Sequence, residues 1–388
     1  MPSLQVMAQP EGISNSISAD EIALYDRQIR LWGVKAQEKI RTAKILLISL
    51  KAIGNEIAKN LVLAGIGSLT ILDDGIAREE DLGAQFFISE DSIGQSVWDI
   101  PVDRFSRWTK ANSFQRAEAA APQIRQMNPR VQLHVDTSDV KMKPAEYFAA
   151  FDIIIATDLD FDTFSTINAA CRVTNRPSYM AGLHGFYGFI FADLISHDFV
   201  IQREKSNIAS RTHETKTRTI LHVTTKIENE KVIELVTKRE IYTPLVLANT
   251  SSLPEEFTKS IRKRRQVTPL LTCLRALWEF QRQNGGAYPS FSRADLEQFT
   301  ALANARHAEL KLDPSTLTAE FLRSFLQNVG SEINPVAAFL GGNLAQDAIN
   351  VLSAREQPLQ NFLLFDGERN LSPIYSLHPL TDATNNGP

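Results

Sequence analysis

A short loop near residue 50 has the position of a nucleotide-binding loop, because it connects an apolar run to a helical pattern. Such a loop carries glycine at its first, third and sixth positions, for a tight turn, close phosphate approach and helix packing. Here these positions hold Ser49, Lys51 and Gly54, so only the packing glycine remains. Asp73 lies about 20 residues further on, where a carboxylate would bind ribose. Lys51 could supply charge to a phosphate, but the pattern favours a scaffold that has lost its nucleotide site.

The cysteines and histidines offer no second reaction centre. A nucleophile that forms a thioester has to be exposed and in an electropositive setting. Cys171 and Cys273 both lie in apolar helical patterns, so we expect buried thiols and no thioester cysteine. There is no Cys-x-x-Cys pair and no metal-ligand spacing among the histidines, so we expect no metal site.

An alternation of strands and helices has to position the loop. Residues 44–50 form an apolar run that is too short for a helix and suits a strand buried on both faces. Residues 54–64 predict a helix stopped by Gly65, and residues 69–72 predict a second strand that ends at Asp73. Further helices are predicted over 117–127, over 161–175 and up to 352, and further strands over 131–135, 151–156, 179–181, 186–193 and 362–367. The sequence therefore predicts a doubly wound, Rossmann-like α/β fold.

Changes in composition divide the chain into five segments. We predict a flexible tail, an α/β domain, a smaller inserted β/helical domain, a return of the α/β domain and a second tail, over residues 1–18, 19–199, 200–330, 331–376 and 377–388. Within the first α/β part, apolar spacing predicts one helix over 19–41, capped by Ser18. Within the insert, residues 219–225 and 231–236 predict a hairpin.

Overall composition narrows the class of protein. The net charge of −4 over 388 residues gives no basic excess that would indicate nucleic acid. With 43% hydrophobic and 22% charged residues, the chain has the composition of a soluble globular protein. No apolar run approaches the ~18–20 residues of a membrane span, and the N-terminus lacks a secretory pattern. We therefore expect an intracellular protein that binds neither membranes nor nucleic acid.

Several short motifs together are more specific than the loop. They are Tyr25–Gly33 with Ala36-Gln37, the unit over 45–73, Gly83-Ala84-Gln85-Phe86, Arg116-Ala117-Glu118-Ala119, Asn128-Pro129, Gly341-Gly342 and Phe365-Asp366-Gly367. In these motifs the chain resembles the ubiquitin-activating family, relatives of the bacterial MoeB and ThiF adenylating proteins. Within that family it is most similar to the smaller, non-thioester subunits of SUMO-activating enzymes.

The resemblance implies a catalytically degenerate, ThiF-type pseudo-adenylation fold. Members of the family that bind ATP carry an Asp-x-Asp pair, and here Gly75 replaces its second aspartate. Of the following Asn-x-Asn-Arg-Gln only Gln85 matches. The phosphate-binding lysine is replaced by Arg116, or by Val97 in a shifted alignment, and Asp160 is an ambiguous match to a magnesium-linked aspartate. We therefore expect no cofactor on this chain, with ATP and Mg²⁺ bound by a partner subunit.

The resemblance also implies what the chain contributes to catalysis. In this family an arginine of the Tyr-x-Arg-Gln segment crosses the dimer interface and contacts the ATP of the partner. Arg27 matches that arginine, and Arg30 is the second candidate. A guanidinium supplied in trans meets the charge that builds on the phosphates as pyrophosphate leaves.

The implied partners follow from the same likeness. The chain is expected to be the regulatory, non-catalytic subunit of a SUMO-activating enzyme, in an obligate heterodimer with the subunit that holds the thioester cysteine. SUMO is the expected protein substrate, and a conjugating enzyme is an indirect partner. Alternatives from the sequence are the equivalent subunit for the Nedd-type modifier, an NAD-dependent oxidoreductase on the same fold, and a scaffold without a role at ATP.

Two segments are not explained by the resemblance to the family. The basic run that begins at Lys259 and ends at Arg265 is a candidate import signal, which fits a nuclear and cytoplasmic protein, or a solvated helix face. Residues 96–114 separate two stretches that are contiguous in relatives, and their role stays open.

Overall fold

The computed structural model describes residues 17–93, 114–205, 214–228 and 231–379. Its centre is an eight-stranded sheet with the order β11-β10-β6-β5-β4-β1-β2-β3. The strands of this sheet are β1 Lys44–Ile48, β2 Ser68–Leu72, β3 Gln132–Asp136, β4 Ile153–Thr157, β5 Ser178–His184, β6 Tyr187–Asp193, β10 Phe362–Asp366 and β11 Ile374–Tyr375. Strands β1 to β5 pair in parallel, whereas β6, β10 and β11 pair antiparallel. This confirms the doubly wound α/β fold.

Helices cover both faces of the sheet. They are α1 Ala19–Leu24, α2 Asp26–Trp32, α3 Val34–Ile40, α4 Ala52–Ala64, α5 Glu79–Leu82, α6 Arg116–Met127, α7 Ala145–Phe148, α8 Phe161–Val173, α9 Leu245–Thr250, α10 Glu255–Thr258, α11 Ile261–Gln266, α12 Leu270–Gln283, α13 Arg293–Glu309, α14 Ala319–Asn328 and α15 Asn334–Ser353. Ile57 of α4 and Leu344 of α15 share one core with β1, while Phe164 of α8 and Leu274 of α12 share the other. Because both faces are covered, the central strands read as continuous apolar runs.

The predicted helix over 19–41 is wrong in one respect, because the chain breaks twice inside it. Ser18 does cap its start, in a reciprocal capping box with Glu21. Helix α1 ends at Tyr25, whose ψ of 15° is not helical, and α2 ends at Gly33, whose φ is +85°. Glycine holds that left-handed backbone without strain. The result is three short helices, α1 to α3.

The segment after β6 forms a second, three-stranded antiparallel sheet with the order β7-β9-β8. Its strands are β7 Ser196–Glu204, β8 Arg218–Glu228 and β9 Lys231–Ile241. The predicted hairpin is β8–β9, and it is longer than the sequence pattern indicated. Helix α12 then returns to the main sheet, where Trp278 lies 5.3 Å from Phe189 between ring centres.

Parts of the predicted tails and nearly all of the segment 96–114 lie outside the described residues. In the described ranges, no helix combines the length and the hydrophobicity that crossing a bilayer requires.

Candidate functional site

The loop after β1 lies where the sheet reverses its strand order, since β1 pairs with β2 on one side and β4 on the other. Ligands of doubly wound folds bind at this switch point. Ser49 holds a left-handed φ of +68°, a conformation that suits glycine. Its carbonyl oxygen accepts a hydrogen bond from Thr157 Oγ1 at 2.8 Å. A Cβ on Gly54 would lie 2.5 Å from the same oxygen, so Gly54 is required for packing α4 against the loop.

The N-terminus of α4 is occupied by a carboxylate from the chain itself. Glu332 Oε2 accepts a hydrogen bond from the backbone N–H of Ala52 at 3.2 Å. The first N–H groups of a helix have no partner within the helix and attract anions, which is why phosphates bind there. Burial raises the pKa of Glu332, and the nearby charge of Lys51 opposes that rise. Glu332 therefore lies at the helix terminus where doubly wound folds bind phosphate.

The Asp73 carboxylate is also engaged by the protein. Its two oxygens accept hydrogen bonds from the backbone N–H groups of Leu50, at 2.7 Å, and Gly75, at 2.8 Å. Arg116 Nε lies 3.7 Å from Asp73 Oδ2 and 3.8 Å from Asp81 Oδ2. A Cβ on Gly75 would lie only 2.2 Å from Arg116 Nη2, so the guanidinium fills the space beside the carboxylate. Both oxygens of Asp73 are thus hydrogen-bonded to the backbone of the loop after β1 and of the turn after β2.

Asp158, not Asp160, is the aspartate after β4 that faces this site. Asp160 caps helix α8 by accepting from the N–H of Thr163 at 2.8 Å. Asp158 is half-buried with a left-handed φ of +52°, and its Oδ1 accepts from Leu183 N at 2.9 Å. Its Oδ2 has no hydrogen-bond partner among the described residues. Burial, reinforced by the charge of Glu332, raises the pKa of Asp158 to about 7.

The space that remains between these groups is small. A pocket of about 180 Å³ is lined by Ser49, Lys51, Asp73, Arg116 and Asp158, among others. Small-molecule sites usually measure ~300–1,000 Å³. Its walls carry two cations, Lys51 and Arg116, and three aspartates, Asp73, Asp74 and Asp158, so their charges partly offset one another.

Sequence reasoning missed Asp158 as a lining residue and missed Glu332 altogether. Asp158 had a usable signal, since it directly follows the buried strand β4 at the carboxyl edge of the sheet. Glu332 had none, because its contact with Ala52 joins residues 280 positions apart.

The two candidate arginines lie on α2, away from the pocket. Arg30 is exposed and pairs with Asp26 one helical turn earlier, at 2.9 Å. Arg27 is exposed and makes no hydrogen bond or ion pair with any residue in the described part of the chain. Arg27 therefore does not line the pocket beside the chain's own loop, and its guanidinium is unpaired within the described ranges.

A groove of about 740 Å³ lies beside Arg27, between α2, α4 and α15; we call it the α2–α4–α15 groove. It is lined by apolar and amide side chains together with two charged residues, namely Gln28, Leu31, Trp32, Asn60, Leu63, Ala64, Ala338, Phe339, Gly342, Asn343, Gln346, Ile349, Asn350, Ser353, Arg355 and Glu356. Leu31 is 79% exposed and Leu63 45% exposed. Depletion of charge together with exposed apolar side chains is typical of the core of a protein interface.

Cys171 and Cys273 are both buried. Burial raises the pKa of each thiol, and the charge of Asp193 adds to this at Cys171. A thiolate nucleophile at either position is therefore disfavoured. Within the described ranges, no three His, Cys, Asp or Glu side chains are grouped as metal ligands would be.

The basic run lies on the surface around α11. Ser260 caps this helix, and Arg265 pairs with Asp313 at 2.7 Å. Arg262 and Lys263 are exposed. An import signal here stays a prediction.

The fold and the site together define an adenylation-type α/β protein whose loop after β1 lacks two of the three glycines of a nucleotide-binding loop. The model of the ThiF family matches residues 25–384, and the chain belongs to that family. It is 38% identical to the DNA damage tolerance protein RHC31 of Saccharomyces cerevisiae, over 92% of this chain and 97% of the relative. It is 34% identical to the DNA damage tolerance protein rad31 of Schizosaccharomyces pombe, over 94% and 99% of the two chains. It is 32% identical to SUMO-activating enzyme subunit 1 of Homo sapiens, over 96% and 100%.

Proposed function

We propose that this chain is the regulatory subunit of a heterodimeric SUMO-activating enzyme. Support comes from relatives named SUMO-activating enzyme subunit 1 that match it along nearly their whole length. These names favour the SUMO assignment over a Nedd-type one. Membership of the ThiF family, with the lost loop glycines, argues against an NAD-dependent oxidoreductase.

The observation that carries the proposal is the state of the chain's own nucleotide loop. Glu332 takes the phosphate position at the start of α4, and Arg116 fills the space beside Asp73. A second carboxylate, Asp158, would add repulsion to any entering phosphate. ATP and Mg²⁺ therefore bind to the partner subunit, which adenylates the C-terminal carboxylate of SUMO.

Arg27 acts in trans on that ATP. When the carboxylate attacks the α-phosphate, the bond to pyrophosphate breaks and negative charge builds on the leaving oxygens. A guanidinium presents a planar fork of donors that binds phosphate oxygens in a bidentate manner. Arg27 is available for this role because it has no partner among the described residues, whereas Arg30 is held by Asp26.

The partner also holds the thioester cysteine, because both cysteines of this chain are buried. The α2–α4–α15 groove is the surface on which the partner packs. The exposed Leu31 and Leu63 line this groove, and Leu31 lies one helical turn after Arg27 on α2. The interface would therefore place Arg27 at its edge.

The test is ATP–pyrophosphate exchange with purified partner and SUMO, with this chain absent, present or carrying a substitution. Arg27→Ala should lower the exchange rate by at least 100-fold, in line with the several powers of ten that an arginine in trans contributes elsewhere. Arg30→Ala is the matched control on the same helix and should change the rate less than threefold.

Co-elution with the partner has to stay intact in both variants. Equal exchange in the Arg27→Ala variant and the parent, with the dimer intact, would show that the chain is only a scaffold. Exchange with a Nedd-type modifier but not with SUMO would instead overturn the choice of substrate.

A further inference from the structure

Three successive carbonyl groups at the C-terminus of α4 accept hydrogen bonds from side-chain amides. Asn128 Nδ2 donates to Val62 O at 2.9 Å, and Gln28 Nε2 donates to Leu63 O at 3.3 Å. The third amide, Gln37 Nε2, donates to Ala64 O at 3.1 Å. The last carbonyls of a helix have no partner within the helix, so side chains or water must satisfy them. We call Gln28, Gln37 and Asn128 the amide clamp.

A second layer of contacts ties the clamp to both ends of α2. At the N-terminal end, Asn128 Nδ2 also donates to the hydroxyl of Tyr25 at 2.8 Å. The Tyr25 ring packs on Gly65, where a Cβ would lie 2.5 Å from a ring carbon. At the C-terminal end, Trp32 Nε1 donates to Gln37 Oε1 at 2.8 Å.

These polar contacts are important for the position of α2, because the helix has no buried side chain of its own. The helix has seven residues, and none of them is buried. Isolated helices shorter than about 12–15 residues are marginal in water. Its place on the molecule therefore depends on the buried anchors that flank it, Tyr25, Gln37 and Asn128, and on Gln28 within it.

We propose that the amide clamp is a positioning device that fixes α2 and so aims Arg27, the neighbour of Gln28, at the partner's nucleotide. This rests on the proposed function of Arg27. The clamp residues are positioning residues, because the buried ones cannot reach the nucleotide. A misplacement of about 1 Å in a catalytic group can cost about 100-fold in rate, so a slack α2 would slow the reaction while the dimer persists.

Gln37→Met is the primary test, since the substitution keeps the length of the side chain and removes both of its hydrogen bonds. Gln37 is 1% exposed and does not line the groove, so it cannot contact the partner directly. We expect pyrophosphate exchange at saturating ATP and SUMO to fall about tenfold. Gln298→Met is the matched control, because it removes both side-chain hydrogen bonds of a half-buried glutamine on α13, outside the α2–α4–α15 groove, and it should leave the rate within twofold.

A double-mutant cycle separates positioning from general damage. If the clamp acts through Arg27, adding Gln37→Met to Arg27→Ala should lower exchange by less than twofold further. An equal tenfold loss in both backgrounds would overturn the proposal.

Amide hydrogen exchange in the assembled heterodimer tests the clamp even if Arg27→Ala has no effect on the reaction and the proposed function fails. In Gln37→Met, amides of residues 26–32 should exchange at least tenfold faster, and in Arg27→Ala they should not. Unchanged exchange there would overturn the clamp. Should Gln37→Met not fold, Tyr25→Phe removes only the hydroxyl that Asn128 contacts, and the same two outcomes apply in the same directions.

Discussion

The Oδ2 atom of Asp158 is buried and has no hydrogen-bond partner among the residues that the structure describes. A buried charge without full pairing is costly, so the group is held nearer to its neutral form. Its neighbours act in opposite directions, since Glu332 raises the pKa of Asp158 while Lys51 and Arg116 lower it. The charged side chains around the loop after β1 thus interact with one another.

Asp158→Asn should remove a pH-dependent penalty on stability. The pKa of Asp158 is about 7 in the folded protein and 3.8 as its ordinary value, so the folded state holds a proton that the unfolded state loses in between. The free energy of unfolding therefore falls as the pH rises from about 4 to 7. Asparagine does not titrate and still accepts from Leu183, so the variant should be more stable at pH 8 by a few kcal/mol, at ~1.4 kcal/mol per pKa unit.

Urea unfolding of the parent and Asp158→Asn at pH 5 and pH 8 measures this difference. The difference in stability between the two proteins should be larger at pH 8. If it is the same at both values, Asp158 does not carry a raised pKa.

At the residue scale, sequence could identify the missing glycines of the loop but not the Glu332 carboxylate that contacts the start of α4. Ser49, Lys51 and Gly54 occupy loop positions whose backbone requirements are known in advance. Glu332 reaches Ala52 from the far end of the chain, through a contact that only the folded topology creates. Asp158 could have been identified from the sequence, because it directly follows β4. The choice between Asp158 and Asp160 needed the structure, which shows that Asp160 caps α8.

At the scale of elements, helix α4 joins the two functional features. At its N-terminus, the N–H of Ala52 donates a hydrogen bond to the Glu332 carboxylate. At its C-terminus, the last carbonyl groups accept hydrogen bonds from the amide clamp. Negative charge at the first turn and N–H donors at the last turn both suit the dipole of the helix. One element thus contacts Glu332 at its start and, through the amide clamp, α2 at its end.

Gly54→Ala should lower the stability of the protein, because the added methyl group would clash with the loop where α4 packs against it. The new Cβ would lie 2.5 Å from the Ser49 carbonyl oxygen, so the backbone has to shift. Overpacking of this kind costs about 1–3 kcal/mol. Gly342→Ala in α15 is the matched control, since no atom lies within 4 Å of its added Cβ. Alanine there should be neutral or stabilising by about 0.5–1 kcal/mol.

Denaturant unfolding of the two variants checks the contrast. If Gly54→Ala is as stable as Gly342→Ala, the close approach of α4 to Ser49 is not a constraint on this fold.

Elements with a strong period were predictable, and those set by distant contacts were not. The strand over 44–50 and the helix over 54–64 follow from apolar runs and Gly65, and both were found within two residues. The helix over 19–41 failed because its breaks are fixed elsewhere. Tyr25 is held by Asn128 and Gly65, so the chain leaves helical geometry there although the apolar period continues.

At the scale of the whole molecule, the α2–α4–α15 groove is the surface on which the proposed partner packs. Its lining comes from three helices that are far apart in sequence, so no local pattern could show that it is a surface. Exposed apolar side chains such as Leu31 and Leu63, in a groove that carries few charges, are typical of protein interfaces. The proposed function depends on this assembly, since Arg27 reaches a nucleotide only across an interface.

Leu31→Asp should therefore weaken binding to the partner subunit. An aspartate that the proposed partner covers must lose its hydration without gaining a partner, which is costly. We expect the dissociation constant to rise about 100-fold, or about 2.8 kcal/mol at 1.4 kcal/mol per tenfold change. Met142→Asp is the matched control, because Met142 is also 79% exposed but lies outside the groove. Calorimetric titration of each variant with the partner makes the comparison, and equal weakening by both substitutions would show that the partner packs on a different face.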